Sequence, residues 1–477
     1  MGAGWVLEDC HLSGTIILED IAESENVTGD LKHGTGKNKH LVLTPQPSDD
    51  PNDPLTWSKT RKLVIMLITG MGTILYGAVF GPLLNASLVV IAVDLDVTIT
   101  DITLLSGYQV LVVGCTAPFV SALSRKYGKR GLFVLSAISA VIGNIVGSTS
   151  KNYNQLLAAR IIQGLSVSTY ESLLLVVIGD LFFVHERGMY TSIVSFLLAA
   201  VSNLASVVCG PITNNLGWKY LFHIFIAVSS VQTVCQILFV PETTYRRDKR
   251  YETEQLATEN LGEQNLRQRT QEKDTAQQSS SRETSRTIPV KKTFRQDLKL
   301  FNGSFTDESL VQLLLAPFAV CLNLAVAYII IVQGCFICLY VAIAFLLAQI
   351  FGYPPYSMSP AAIGYLSLGP FIGGLVAVAL FAVITDPLIL FMAKRNKGIY
   401  EPEYRLLIAV LGIATGAGLF AYGDVTQEYG SFYLAATIHA IVIFGVMALT
   451  VATSSYALDA YGSMSNEIFI MAKKNGL

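Results

Sequence analysis

The sequence predicts an all-α polytopic membrane protein built as two helical lobes. Six long apolar stretches come first, a hydrophilic segment from Thr243 to Phe305 follows, and four more apolar stretches come after it. Each stretch has about the 20 residues a helix needs to cross a bilayer core at 1.5 Å per residue. Hydrophobic residues make up 52% of the chain and charged ones 14%, against roughly 25% charged in soluble domains. Lipid offers no partner to an unpaired peptide group, so such stretches must be helices. Two helical blocks split by a polar loop form the plan of a two-lobed secondary transporter.

Residues 1–60 read as a polar cytoplasmic tail without a secretory signal, so the first span is expected to act as the insertion signal. A first six-helix lobe over 61–242 has spans at 63–84, 103–123, 131–149, 156–178, 190–213 and 219–240. The segment 243–305 is expected to be a flexible cytoplasmic linker. Its stretch 270–286 is rich in Gln, Ser, Thr, Glu and Arg and too poor in large apolar residues to fold alone. A second lobe over 306–477 has spans at 313–336, 361–384, 405–422 and 431–453 and the start of an eleventh. Apolar sequence runs on from Leu313 almost to Ile350. It is read as a single span seven with an outer extension and a bend near Gly334, because splitting it would invert every later span.

Basic residues set the orientation, since cytoplasmic loops carry the Lys and Arg. Arg125, Lys126, Lys129 and Arg130 follow span two, and Lys394, Arg395 and Lys397 follow span eight. The loops after spans one, seven and nine carry none. Both termini of the six-span lobe are therefore expected in the cytoplasm, with the plasma membrane as the expected address.

Several classes recede. Lys plus Arg (33) nearly balances Asp plus Glu (35), which gives no reason to expect nucleic acid. The seven cysteines show no disulfide framework or paired zinc spacing, and Cys335–Cys338 is a lone CxxC in apolar sequence. Phosphate-loop sequence GxxxxGK[ST] is absent, so ATP is not expected, and no interfacial cluster of catalytic carboxylate, His or Cys suggests an enzyme. The expected partners are the bilayer, protons and a small-molecule substrate, with the chain a monomer and no cofactor beyond a proton gradient as energy source.

Span four carries the membrane-embedded charge. Arg160 and Glu171 are 11 residues apart, which puts them on one face to within about 20° and about 16 Å apart along the axis. A charge inside a span costs roughly 2.5–3.5 kcal/mol on insertion scales, so each should face protein or water. A carboxylate taken out of water binds a proton more readily, which makes Glu171 a candidate proton or cation-substrate site. The alternative is a packing role, as a salt bridge to Arg160 or a hydrogen bond to a neighbouring span. Three turns of axial separation argue against a direct pair. Gln109, Asn203, Asn323, Gln333 and His439 are further polar groups within spans, each as consistent with helix packing as with a cavity wall.

The motifs resemble the major facilitator superfamily, in particular its fungal drug:proton antiporter branch. SALSRKYGKR (121–130) is similar to the loop pattern Gly-x-Leu-x-Asp-Arg-x-Gly-Arg-Lys through Leu123, Lys126, Gly128, Lys129 and Arg130. Arg125 stands where the family has its acid, the charge partner assigned to locking the outward-facing state. Arg160, Gln163 and Gly164 match the Arg-x-x-Gln-Gly motif of span four. Gly210-Pro211 matches the antiporter motif of span five, with Asn214-Asn215 in place of its paired glycines. TDPLILFMAKRNKGIYEPEYRL (385–406) resembles the branch's loop after span eight through Asp386, Lys394, Arg395, Gly398, Glu401, Pro402, Glu403 and Arg405. The resemblance implies a major facilitator fold with an incomplete second bundle of about ten spans in all, and proton-coupled efflux of drugs, cationic compounds or secondary metabolites by alternating access. The alternative is a shortened, transport-inactive or receptor-like remnant. His185, Glu186 and Arg187 are expected as solvated gate contacts.

Overall fold

The computed structural model describes residues 16–17, 47–48, 50–183, 190, 194, 198, 201–245, 292–306, 308–320, 324–396, 399–400 and 402–461. Among these, nine helices are long and apolar enough to cross a membrane. A two-residue pairing of Ile16–Ile17 with Ile399–Tyr400 is the only strand pairing among the described residues. The protein is an all-helical, multi-pass integral membrane protein.

Local sequence sets the helix ends. Span one, Lys59–Val79, starts at Ser58, whose hydroxyl accepts from the Arg61 amide at 3.4 Å. It is α-helical to Gly72 and π-wound over Thr73–Val79, then continues as a tight turn at Pro82–Ser87 and a helix at Leu88–Asp94. Such winding changes redirect side chains within one span. Span two, Ile99–Tyr127, opens on a capping box: Thr98 accepts from the Asp101 amide and Asp101 from the Thr98 amide, both at 3.2 Å. Gly128 ends it at φ 94°, a conformation a Cβ would oppose, so span three, Arg130–Ser148, can turn back at once. Asn152 caps span four, Tyr153–Leu181. Spans five and six follow as Val201–Leu216 and Lys219–Phe239.

In span seven, helix is described over Leu310–Val320, which packs against span two, and over Leu324–Phe351, with residues 321–323 outside the described part. Gly334 falls within the helix Leu324–Phe351, so the helix is not interrupted there. Span eight is Pro360–Leu366 and Leu368–Arg395 about a turn at Ser367, capped by Ser359 with Pro360 at its first position. Span nine starts as a 3-10 helix, Pro402–Gly412, and runs on as Ile413–Gln427; span ten is Phe432–Tyr461.

Span four is the hub of the first lobe. Tyr170 packs edge-on against Tyr76 of span one and Phe133 of span three, at centroid separations of 4.8 and 5.0 Å. The second lobe has its own cluster of Ala377, Phe381, Ile443 and Met447. Leu67, Leu111, Leu135, Val231, Val383 and Phe420 point outward, as expected of faces that meet lipid.

The C-terminal part of the segment expected to be a flexible linker is held on the first lobe. Arg61 pairs with Asp297 at 2.8 Å, the Lys292 amide donates to Asn52 at 2.8 Å, and the Phe305 amide donates to the Lys126 carbonyl at 2.9 Å. Tyr245 donates to Asp50 at 2.9 Å, and burial pushes its phenol up from its ordinary value, so it remains a donor at physiological pH. Residues 246–291 lie outside the described part.

Candidate functional site

Arg160 is fully buried, and its guanidinium joins span four to span one. Its Nη1 donates to the Phe80 carbonyl of span one at 2.7 Å and to Gln163 Oε1 at 3.1 Å. Gln163 Nε2 donates to Asn144 of span three at 2.8 Å, and Asn144 reaches the Ser229 hydroxyl of span six at 3.4 Å. Arg160 Nε and Nη2 have no partner. Gly164 lets span two approach closely: a Cβ there would lie 3.0 Å from Val112 and 3.1 Å from the Gln109 carbonyl. Gln109 itself is buried with both amide atoms unpaired.

Glu171 is turned elsewhere. Its Cγ lies 3.2 Å from where a Gly77 Cβ would stand, in the π-wound stretch of span one, so the two helices approach closely there. No ion pair joins it to Arg160, whose guanidinium is engaged at Phe80 and Gln163. Among the described residues Glu171 has neither an ion-pair nor a hydrogen-bond partner.

At the basic end the loop between spans two and three closes on acids from two other elements. Glu242, just after span six, accepts from the Lys129 amide at 3.0 Å, the Arg130 amide at 3.1 Å and the Thr244 amide at 3.0 Å. The carboxylate thereby sits on the N-terminus of span three, where the helix dipole is positive. Lys129 Nζ pairs with Asp180 at the end of span four. Arg130 donates to the Val240, Ile237 and Leu298 carbonyls, which satisfies the free end of span six. The acid missing at position 125 is thus supplied by Asp180 and Glu242. Pro241-Glu242-Thr243, directly after an apolar span, was the available signal, and sequence reasoning passed over it.

At the opposite end the lobes touch. A Cβ at Gly210 would lie 2.5 Å from the Pro360 carbonyl and 3.2 Å from Gly364 Cα; a Cβ at Gly364 would lie 2.5 Å from the Ser206 carbonyl. Spans five and eight therefore meet backbone to backbone, which only glycine at both positions allows. Pro211 follows inside the span-five helix. Gln349 of span seven donates to Thr103 of span two at 2.7 Å.

Just inside this seal lies a cavity of about 20 Å³, room for about one water. Asn85, Ser202, Asn203, Tyr340, Ser367 and His439 supply its polar wall, with Ser202 and Tyr340 sharing a hydroxyl–hydroxyl contact at 3.0 Å. Spans one, five, seven, eight and ten all contribute, so both lobes build it. Asn203 and His439 were among the polar span residues noted from sequence; Asn85 and Tyr340 were not. Arg395 is exposed at the end of span eight. The side chains of Asp386, Lys394, Asn323 and Gln333, and all of His185, Glu186 and Arg187, lie outside the described residues.

Two helical lobes sealed at one end around an interlobe cavity define a membrane transporter that works by exposing one site to either side in turn. Residues 63–467 match the Major Facilitator Superfamily, and the chain belongs to that family. Among relatives, the MFS-type transporter hepF of Aspergillus oryzae is 26% identical over 448 residues, covering 90% of this chain and 83% of that one. The MFS transporter fsa7 of a Fusarium species is 26% identical over 426 residues, covering 87% and 75%. The structure of the xylose transporter XylE from E. coli, in a partially occluded inward-open conformation, covers 85% of this chain and 92% of that one at 14% identity and a TM-score of 0.49.

Proposed function

We propose that this chain is a proton-coupled exporter that moves small organic molecules out of the cytoplasm in exchange for protons, with Glu171 as the proton carrier. One observation carries the reading: Glu171 is an acid well inside a span, without a described partner, facing the rewound part of span one. A structural ion pair would satisfy its carboxylate, and this one is left unsatisfied. Closing the site strips water from a carboxylate and favours its neutral form; rehydration on opening releases the proton. Span one links the two events, because the stretch around Gly77 leads within a few residues to Pro82 and Asn85 of the cavity wall.

Arg160, Gln163 and Asn144 hold spans one, three, four and six in register and do not titrate in this scheme. The seal of Gly210 against Pro360 is the extracellular gate, and Gly128, Lys129 and Arg130 with Asp180 and Glu242 form the cytoplasmic latch. The basic end faces the cytoplasm by the positive-inside rule. Asp386 and Arg395 would serve as the second lobe's counterpart of that latch. The protein acts as a monomer in the plasma membrane, with no cofactor.

Glu171→Gln tests this. It keeps shape and hydrogen bonding and removes the titrating proton. The variant should reach the membrane at wild-type levels and lose uncoupler-sensitive efflux; retained efflux would remove Glu171 from the mechanism.

A further inference from the structure

We infer that the interlobe cavity selects neutral or anionic molecules that both donate and accept hydrogen bonds, and that it discriminates against organic cations. This rests on the transport reading for the site's role, and it narrows the cargo.

The first argument is the wall itself. Its polar groups are amides, hydroxyls and one imidazole, and among the described residues no carboxylate lines it. Cation sites in low-dielectric surroundings need a counter-charge or an aromatic cage, and among the described residues Tyr340 is the only aromatic of the wall. The second is the inventory of acids. Away from the span ends, the sequence places only Glu171 in membrane-embedded helix, Asp386 following the apolar stretch of span eight. Glu171 faces Gly77, more than a turn toward the basic end from Pro82, and does not line the cavity. Asp386 lies on the span-eight helix roughly 28 Å beyond Ser367 at 1.5 Å per residue. Asp180, at the basic end, is paired with Lys129.

The third argument is the positive charge behind the wall. Arg160 donates to the Phe80 carbonyl, two residues before Pro82 of the cavity lining, and its Nε and Nη2 are unpaired. A buried guanidinium without a nearby carboxylate leaves a positive field at the cavity, which attracts an anion and repels a cation. The fourth is the set of unused hydrogen-bonding atoms. Asn85 Oδ1 and both ring nitrogens of His439 are buried without partners, at 6% and 1% residue exposure. A neutral imidazole offers one donor and one acceptor, and the amide oxygen offers an acceptor. A molecule bearing a hydroxyl or acid beside a carbonyl satisfies all three. In this sealed form the cavity is too small for such a molecule, so binding accompanies parting of the lobes.

The experiment uses the purified full chain in nanodiscs of neutral lipid and two xanthene dyes of similar shape, fluorescein as the anion and rhodamine 123 as the cation. Equilibrium binding is read by fluorescence anisotropy at neutral pH. Fluorescein should bind at least about tenfold more tightly, and His439→Ala should weaken it severalfold without helping rhodamine 123. Asn85→Ala, on the other lobe, provides the same test if His439→Ala does not fold. Equal or tighter binding of rhodamine 123, no fluorescein binding up to millimolar dye, or fluorescein binding untouched by either substitution would each overturn the proposal. The same preparation in liposomes reports transport separately. Charge-selective binding without gradient-driven uptake would sink the export reading and leave this one standing, whereas gradient-driven uptake of rhodamine 123 would do the reverse.

Discussion

Replacing Gly210 by alanine should hold the sealed end open. A Cβ at this position falls 2.5 Å from the Pro360 carbonyl oxygen and 3.2 to 3.3 Å from the Cα atoms of Gly364 and Ala361. All three are backbone atoms, so no rotamer change can relieve the clash, and the helices must separate by about 1 Å. Overpacking of this kind costs about 1–3 kcal/mol. Because the cost falls only on the state in which spans five and eight touch, it shifts the equilibrium between sealed and unsealed forms by about 5- to 150-fold. Cys209 reports the shift. It is the adjacent residue and is 2% exposed in the sealed form. In a background in which the other six cysteines are replaced by serine, a membrane-impermeant maleimide added from the sealed side should label Cys209 at least about fivefold faster in Gly210→Ala. Gly364→Ala should do the same, since its Cβ would meet the Ser206 carbonyl at 2.5 Å. Gly107→Ala, where a Cβ has open space, is the control. Labelling at the Gly107→Ala rate in both interface variants would refute the contact as a gate.

The remaining predictions concern the latch and the buried network. Gly128→Ala must adopt φ 94° and collide with the Glu242 carboxylate, so it should lower stability by about 1–3 kcal/mol, read as a fall in the melting temperature of the detergent-solubilised chain. Gln163→Leu leaves Asn144 Oδ1 without its donor and Arg160 with one bond fewer, which should cost about 1–3 kcal/mol in the same assay. Arg61→Ala removes a partly exposed ion pair with Asp297 and should cost less than about 1 kcal/mol, while proteolysis between residues 292 and 306 becomes faster.

Hydropathy made most spans legible because a bilayer imposes length and apolarity together. Span seven shows where that signal stops. From Leu313 to Ile350 the chain is apolar and uncharged, with Pro317 its one proline, so composition alone does not place the crossing within it. The rewinding of span one over Thr73–Val79, where Glu171 and Tyr170 of span four lie close to Gly77 and Gly72, had no marker in the local sequence. Arg160, Gln163 and Glu171 stood out from sequence because charge within a span is costly. Asn85 and Tyr340 did not, because a polar residue in a span is equally suited to packing until five helices bring such residues to one cavity. The latch acids were missed for a related reason: Asp180 and Glu242 are distant in sequence from the cations they meet.

The most direct test of proton-coupled transport uses liposomes containing the purified chain and an imposed pH gradient. Uptake of fluorescein is read after lysis at fixed pH, for the wild type and for Glu171→Gln. Gradient-driven accumulation by the wild type, collapsed by an uncoupler and absent in Glu171→Gln, is the predicted result. Accumulation that is insensitive to the gradient, or equal in the two proteins, would contradict it.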